Sequence, residues 1–470
     1  MLGRIVGRGP RGGRLAGLVA AALGLGVGLV APAAEDAPRT LTLQARFAPL
    51  FLADAPPGGA HPIGGPTTRF VETANAALEP HGLRFSHHVS GEVPPSDEGR
   101  VQPPAAELGD EHPTLHAAVA AGAVDAGVGL ANMSGEPFGA LLTAARPFGM
   151  APDAFAAWLY DEGLALQQAL YDEAFEGRLK VLPVAILGTQ GGGWFPEPLP
   201  DPAADPVLDA EAAMRRLCGR PWIVRWPEPG AGVWRRACAD VGVETARIGE
   251  ATRCADASKP CPSDGNPVAR RPESLAFGGF VFGGLPQRLA LLGRVDAWEL
   301  NMPYYDAMMM KLATGQGDVP NAEADLSPVI EATPHVYAAT WHQPLSYAEL
   351  IVNRDVWDGL AEDERRAIER AARASTLEAW MQGLALQDRG VALLREHGAT
   401  LLRWPEGLRD RLRAATKAHL DERAAALAAE GRTGYRRVLE SLRGYAARHA
   451  DWQAFGERGR ERALPPASPE

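Results

Sequence analysis

Gln190, Arg225 and Glu299 fall in three separated segments, Gly188-Thr-Gln-Gly-Gly-Gly-Trp-Phe195, Trp222-Ile-Val-Arg-Trp-Pro227 and Arg294-Val-Asp-Ala-Trp-Glu-Leu-Asn-Met-Pro-Tyr-Tyr305. Each segment sets one fixed polar group among apolar or glycine neighbours. Arg225 ends an apolar run, where a guanidinium needs an anion, and its planar fork matches a carboxylate through two parallel hydrogen bonds. A structural ion pair with Asp240 or Glu228 is the competing assignment. The glycines after Gln190 let the backbone approach a ligand closely, while the glutamine offers both an acceptor and a donor; the same run would also serve as a hinge or crossover loop. Glu299, between Trp298 and Leu300, is expected to be buried and therefore to meet a cation, either Arg225 or a metal ion. Three such groups suit a pocket that grips a small carboxylate.

Reaction centres find little support. There is no Gly-x-Ser-x-Gly elbow, no His-Glu-x-x-His and no spaced set of Cys/His ligands. The Gly191-Gly-Gly193 run lacks the Lys-Ser/Thr ending of a phosphate-cradling loop. His87, His88, His335 and His342 are assigned packed or surface roles. An exported enzyme using Asp296 and Glu299 as an acid/base pair is the rival from another class, but residues three apart at a strand end point to opposite faces. A periplasmic ligand-sensing subunit is a third reading, sharing the same pocket. With a formal net charge of -11 and no basic stripe, the chain is not expected to bind nucleic acid.

The elements that must hold these groups can be traced along the chain. Residues 39–46 alternate polar and apolar and predict a strand, 67–78 have helical spacing, and 83–89 predict a second strand. That order points to an α/β layer with parallel pairing. The phrases Leu115 to Gly127 and Leu289 to Trp298 both run from an apolar helix through a glycine stop into Val-Asp-Ala and a short strand, suggesting two lobes on one plan. From 363 to 396 and from 406 to 455 apolar residues recur at three and four with charges between, marking long amphipathic helices. Met308 to Met310 read as core, 94–113 and 318–325 as surface loops, and the tail from Arg458 as disordered.

The first 34 residues carry Arg4, Arg8, Arg11 and Arg14, then an apolar run from Leu15 to Val30 ending in Ala31-Pro-Ala33-Ala34, the anatomy of a cleaved secretory signal. No other stretch approaches the ~20 apolar residues of a spanning helix. Cys218, Cys238, Cys254 and Cys261 are clustered and even in number, which in an oxidising compartment favours disulfides. Proximity favours Cys254 with Cys261 and Cys218 with Cys238; buried free thiols are the alternative.

The segments Arg146-Pro-Phe-Gly-Met150, Ala156-Ala-Trp-Leu-Tyr160, Gln190-Gly-Gly-Gly-Trp-Phe195, Val295-Asp-Ala-Trp-Glu299 with Pro303-Tyr304, and Trp341-His-Gln-Pro344 resemble, in order, the solute-binding subunit of tripartite ATP-independent periplasmic (TRAP) transporters. They are most similar to the branch that binds 2-oxo acids, over about Leu41 to Trp404. The resemblance implies a two-lobed periplasmic binding protein fold of type II-like α/β architecture, with crossing strands, a hinge and long C-terminal helices. Lobe I is expected over 41–188 and 341–378, lobe II over 189–340 and 379–457, and a disordered tail over 458–470. Arg225 matches the arginine that grips the substrate carboxylate. Gln190 and Glu299, with the backbone carbonyl of Leu300, match positions that hold sodium, so a bound Na+ or Ca2+ is expected beside the ligand. Trp298, Leu300, Asn301, Met133 and Phe148 are counted as ligand-lining. The implied partners are a small organic acid, the membrane permease subunits that use an ion gradient, and a second copy through the C-terminal helices; no catalysis is implied. Three departures stand out: Leu300 replaces a tryptophan, two residues are extra between Gly219 and Arg225 so that Arg220 becomes a second candidate, and 94–113 and 252–271 resemble insertions.

Overall fold

In the computed structural model, the residues described are 39–45, 64–89, 115–130, 146–205, 207–219, 222–224, 230–243, 275–276, 297–299, 302–314, 325–338 and 341–456. The signal segment, the expected insertions at 94–113 and 252–271, the loop at 318–324 and the tail from 458 lie outside them.

The first strand, β1 (Arg39–Ala45), turns Leu41 and Leu43 into the core and leaves Arg39 and Thr40 exposed, the alternation its sequence predicts. Helix α1 (Gly64–Leu78) begins three residues before the expected start and packs Phe70, Val71, Ala74 and Leu78 inward. Strand β2 (Leu83–Val89) pairs parallel with β1, Leu41 against Phe85. Asn75 ties α1 to β2 by donating to Phe85 O at 3.0 Å and accepting from Phe85 N at 2.7 Å. Helix α2 (Leu115–Ala120) stops before Gly122, which sits at φ 75°, and β3 (Ala126–Leu130) follows. The glycine stop and the strand after Val-Asp-Ala are therefore realised here; the corresponding helix near 289 lies outside the described residues.

Helix α3 (Pro152–Trp158) runs through a π-helical turn, Leu159–Gly163, into α4 (Leu164–Phe175). Strand β4 (Leu179–Leu187) is almost wholly buried and leads across Gly188 to Gln190 into β5 (Gly191–Phe195). The glycine run is thus strand immediately after a crossover. Gly192 has no alternative there, because a Cβ would come 2.4 Å from Ala338 O and 2.6 Å from Trp404 Nε1.

Helix α5 (Ala210–Cys218) is capped by Asp209, whose side chain accepts from Ala212 N at 2.7 Å. Then come β6 (Trp222–Val224), α6 (Gly230–Ala239), β7 (Leu275–Ala276) and β8 (Ala297–Trp298). Cys218 and Cys238 form a disulfide that staples α5 to α6, as proximity suggested; Cys254 and Cys261 lie outside the described residues. Helix α7 (Pro303–Thr314) buries Met309 and Met310. After α8 (Ser327–Ala332) and β9 (His335–Ala338) the chain crosses back to β10 (Ser346–Asn353).

A short α9 (Arg354–Asp358) precedes α10 (Glu362–Glu396), a helix of 35 residues. Its first turn holds Glu362, Asp363 and Glu364, and Glu364 accepts from Ala361 N at 2.8 Å, so the acids satisfy the positive end of the helix. Strand β11 (Thr400–Leu402) follows. The amphipathic stretch expected over 406–455 is two helices, α11 (Glu406–Ala429) and α12 (Gly434–Gly456), because Gly431 takes φ 81° and Arg432 N closes on Leu427 O at 2.9 Å.

Two sheets result, β2-β1-β3-β10-β4 and β11-β9-β5-β8-β6-β7. The chain passes from the first to the second between β4 and β5 and returns between β9 and β10. One core lies on each face of the first sheet, since successive β10 residues alternate between them: Tyr347 and Ile351 join one, Ala348, Leu350 and Val352 the other. The second sheet carries its own core of Phe195, Trp234, Trp341 and Trp404 with α5, α6 and α11. Helix α12, which sequence reasoning groups with the second lobe, buries Tyr435, Val438, Leu439 and Leu442 in a core of the first sheet.

Candidate functional site

The two crossovers place the polar residues of interest. Gln190 closes the first crossover and is buried; its Nε2 donates to Ser346 Oγ at 2.7 Å. Ser346 opens β10, on the far side of the return crossover, and also accepts from Gln343 Nε2 at 3.0 Å. One hydroxyl therefore holds the side chains of both crossing segments. Ser346 thereby orients the Gln190 amide, whose oxygen is of the kind that can accept from a ligand or meet a cation.

Glu299 follows β8 and is 1% exposed. Its Oε1 lies 3.5 Å from Nε2 of His342, itself 1% exposed, on the return crossover. Sequence reasoning gave His342 a packed or surface role; the structure buries it and brings it to the carboxylate. The Trp341-His-Gln-Pro344 run was visible, but nothing in one sequence says that a crossover lays this histidine beside a glutamate 43 positions earlier.

Strand register explains why the segments meet. Strand β5 pairs antiparallel with β8, Trp194 opposite Trp298, and β6 pairs parallel with β8, Ile223 opposite Trp298. The start of β5 and the ends of β6 and β8 therefore lie at one edge of the second sheet. Gln190 precedes the first of these strands and Glu299 ends the last, while Val224, which ends β6, is followed in sequence by Arg225. In open α/β sheets, ligands bind at such carboxyl ends where connections diverge. Arg225, Arg220, Met133, Leu300 and Asn301 lie outside the described residues.

Trp298 and Phe148 are described. Trp298 is fully buried, its ring stacked on Trp194 at 5.1 Å and 6°, and its Nε1 donates to Thr333 Oγ1 at 3.1 Å. Trp194 Nε1 donates to Asp306 Oδ2 at 2.9 Å. With both indole donors engaged, the stack is held rigidly between β5 and β8; truncating either ring would cost about 3–5 kcal/mol. Phe148 is half-buried at φ 51°, a left-handed conformation uncommon for a bulky residue. Its N donates to Trp341 O at 2.6 Å, and Arg413 of α11 lies 4.8 Å over its ring. The 146–150 segment is thereby pinned to the return crossover and to α11.

The side chains of Gln190 and Glu299 offer oxygens, which suit a hard cation such as Na+ or Ca2+ rather than zinc. Among the described residues no group of three or more His, Cys, Asp and Glu side chains could hold a metal. Gln190 and Glu299 thus fit a cation whose remaining ligands are carbonyl or ligand oxygens.

No protein-family model and no curated protein matches the chain. Solved structures do. A TRAP periplasmic solute-binding protein from Colwellia psychrerythraea with bound calcium and pyruvate superposes with a TM-score of 0.62 at 17% identity, over 91% of this chain and 100% of that one. One from Pseudoalteromonas atlantica T6c with bound sodium and pyruvate gives 0.60 at 16%, over 91% and 100%. A third, from Bordetella bronchiseptica RB50, a mixed-occupancy dimer with copurified calcium and picolinate, gives 0.61 at 15%, over 91% and 97%. The chain has the two-lobed fold of the TRAP solute-binding proteins. At these identities the likeness concerns fold, and the α/β architecture with crossing strands and a long helix agrees with the sequence expectation.

Proposed function

We propose that the protein is the extracytoplasmic solute-binding component of a TRAP transporter, capturing a small organic acid between its lobes and handing it to an ion-gradient-driven permease. The observation that carries this reading is the shared sheet edge, where the buried Gln190 and Glu299 and the end of β6 converge beside two crossovers. In this reading Arg225 takes the ligand carboxylate through two hydrogen bonds. Gln190, Glu299 and the carbonyl of Leu300 hold Na+ or Ca2+, which screens Glu299 from the anionic ligand. Trp298, Leu300, Asn301, Met133 and Phe148 line the pocket.

The ligand class is a 2-oxo acid or a comparable mono- or dicarboxylate, supported by the pyruvate in two structures of like fold. The signal-like leader and the disulfide support a periplasmic location, and among the described residues no helix is long and apolar enough to cross a membrane. The lobes are taken at the sequence boundaries, 41–188 with 341–378 and 189–340 with 379–457, except that α12 packs its buried face on the first sheet. Pairing of two copies through the C-terminal helices belongs to the same reading, supported by the exposed Leu377, Met381 and Leu384 on one stripe of α10. The protein is a receptor with no catalytic step.

The test is ligand-induced thermal stabilisation across 2-oxo acids, monocarboxylates and dicarboxylates, with and without sodium or calcium. Arg225→Ala is expected to abolish the shift while the ligand-free protein melts as before. Undiminished binding by that variant sinks the site assignment.

A further inference from the structure

Gln343 is fixed by its neighbours on the return crossover. It precedes Pro344, which confines its backbone to extended conformations. Two residues before it, Trp341 O accepts from Phe148 N at 2.6 Å, and the ring of Pro344 lies against Gly149, where a Cβ would come 2.9 Å from Pro344 Cγ. The segment is thereby held on both sides of Gln343, which is only 1% exposed.

Two contacts join this residue to Gln190. Gln190 N donates to Gln343 O at 3.5 Å, and Gln343 Nε2 donates at 3.0 Å to Ser346 Oγ, the same oxygen that takes Gln190 Nε2 at 2.7 Å. The two carboxamides are therefore clamped side by side, one from each crossover. His342, the residue before Gln343, faces Glu299 at 3.5 Å.

The other end of the Gln343 carboxamide has no such partner. Its Oε1 is closed off from solvent and accepts a hydrogen bond from no described residue. Leaving a buried acceptor unmade is costly, and folds keep such an atom where a bound group completes it. The choice of group follows from the surroundings. A further acceptor brought to the neighbourhood of the buried Glu299 adds negative potential, which a small cation relieves and an anionic ligand does not. An amide oxygen is also among the hard ligands that Na+ and Ca2+ take.

We propose that Gln343 Oε1 is a further ligand of the Na+ or Ca2+ held by Gln190, Glu299 and the Leu300 carbonyl, a role that rests on that reading of the site. The cation would then draw an oxygen from each crossover, tying the outgoing and the returning chain to each other as well as to the end of β8.

The experiment is melting temperature at pH 7 as sodium or calcium chloride replaces choline chloride at constant ionic strength, with and without pyruvate neutralised by Tris. The wild type is expected to rise saturably and Glu299→Gln to stay flat. Gln343→Met keeps the volume but removes the oxygen, and its half-saturating cation concentration is expected to rise roughly tenfold or more. Should Gln343→Met not fold, Gln343→Glu places a charged oxygen there and is expected to lower the half-saturating calcium relative to sodium. A responding wild type with Glu299→Gln flat and Gln343→Met unshifted overturns the role of Gln343 and leaves the cation site standing, as does an unchanged calcium preference in Gln343→Glu. A wild type flat in every salt, or a response kept undiminished in Glu299→Gln, overturns the cation site and Gln343 with it. If Gln343→Met keeps the cation response but binds pyruvate more weakly in calorimetry, the proposal is also overturned and Gln343 is turned toward the acid instead.

Discussion

Glu299 and Glu349 are both buried carboxylates that face a histidine, yet their surroundings differ in kind. Glu349, on β10, is 0% exposed and accepts from His116 Nε2 at 2.8 Å, from Gln167 Nε2 at 2.9 Å and from the Tyr171 hydroxyl; Gln167 in turn accepts from Tyr347 at 3.0 Å. Its partners come from α2 and α4, and Tyr347 of its own strand joins them through Gln167. Burial first, and the Glu349 charge second, push the Tyr347 hydroxyl well above its ordinary pKa, so that phenol remains a donor at any working pH. Glu299 sits instead at the end of a two-residue strand between two crossovers, with His342 at 3.5 Å, longer than a good charge-assisted bond. A carboxylate whose lone pairs are filled by fixed donors specifies a core. One set where chain segments cross, facing a histidine of the return crossover, brings two of those segments together.

The sharpest way to break this contrast is Glu349→Ala, which strands the donors of His116, Gln167 and Tyr171 in a dry core. It is expected to lower the unfolding free energy by about 3–5 kcal/mol in chemical denaturation; a loss below 1 kcal/mol would mean the network is not the structural partner described. Glu299→Gln should do the reverse, removing sodium- or calcium-dependent ligand binding in calorimetry while changing the stability of the free protein by no more than about 1 kcal/mol. Equal destabilisation by the two variants erases the distinction. Smaller still, Gln190→Ala and Tyr347→Phe each delete one buried hydrogen bond and should cost about 1 kcal/mol, but only Gln190→Ala should also raise the ligand Kd.

An exposed acid supplies the control for both. Asp421 is held below the ordinary carboxylate value of 3.8, first by the hydrogen bond from Lys417 and then by that from Arg443, with burial opposing. Its folded pKa is depressed, so its contribution is fully present above that ordinary value and disappears as pH falls through the lowered one. Asp421→Asn should therefore melt slightly lower than the wild type at pH 7, with the two curves merging at strongly acid pH. A gap that widens on acidification contradicts the assignment.

Much of this was readable from the chain because local rules governed it. The alternation of 39–45, the glycine stop at Gly122, the acids at the start of α10 and the short Cys218 to Cys238 spacing each carry their structural reason within a few residues. The break at Gly431 was missed, although a glycine followed by Arg-Thr-Gly is a stop signal inside an otherwise helical pattern. What escaped was set by contacts distant in sequence. His342 acquires its meaning only from the return crossover. Glu349 left a trace, a lone acid in the apolar run Ser346-Tyr-Ala-Glu-Leu-Ile-Val352, although its partners at 116, 167 and 171 could not be named without coordinates. For Gln190 the sequence indicated the residue, and the structure added the serine that orients its amide.

Gly390 of α10 lies flat against the start of α7, where a Cβ would come 2.5 Å from Tyr304 N and 2.6 Å from Tyr304 Cα, while further back along the same helix the Ser375 hydroxyl donates to Val184 O of β4 at 3.0 Å. The helix is thus latched to β4 by a side chain and meets the start of α7 through bare backbone. A single methyl added at Gly390 would therefore act as a wedge between α10 and α7, prising apart two elements that now touch without a side chain between them.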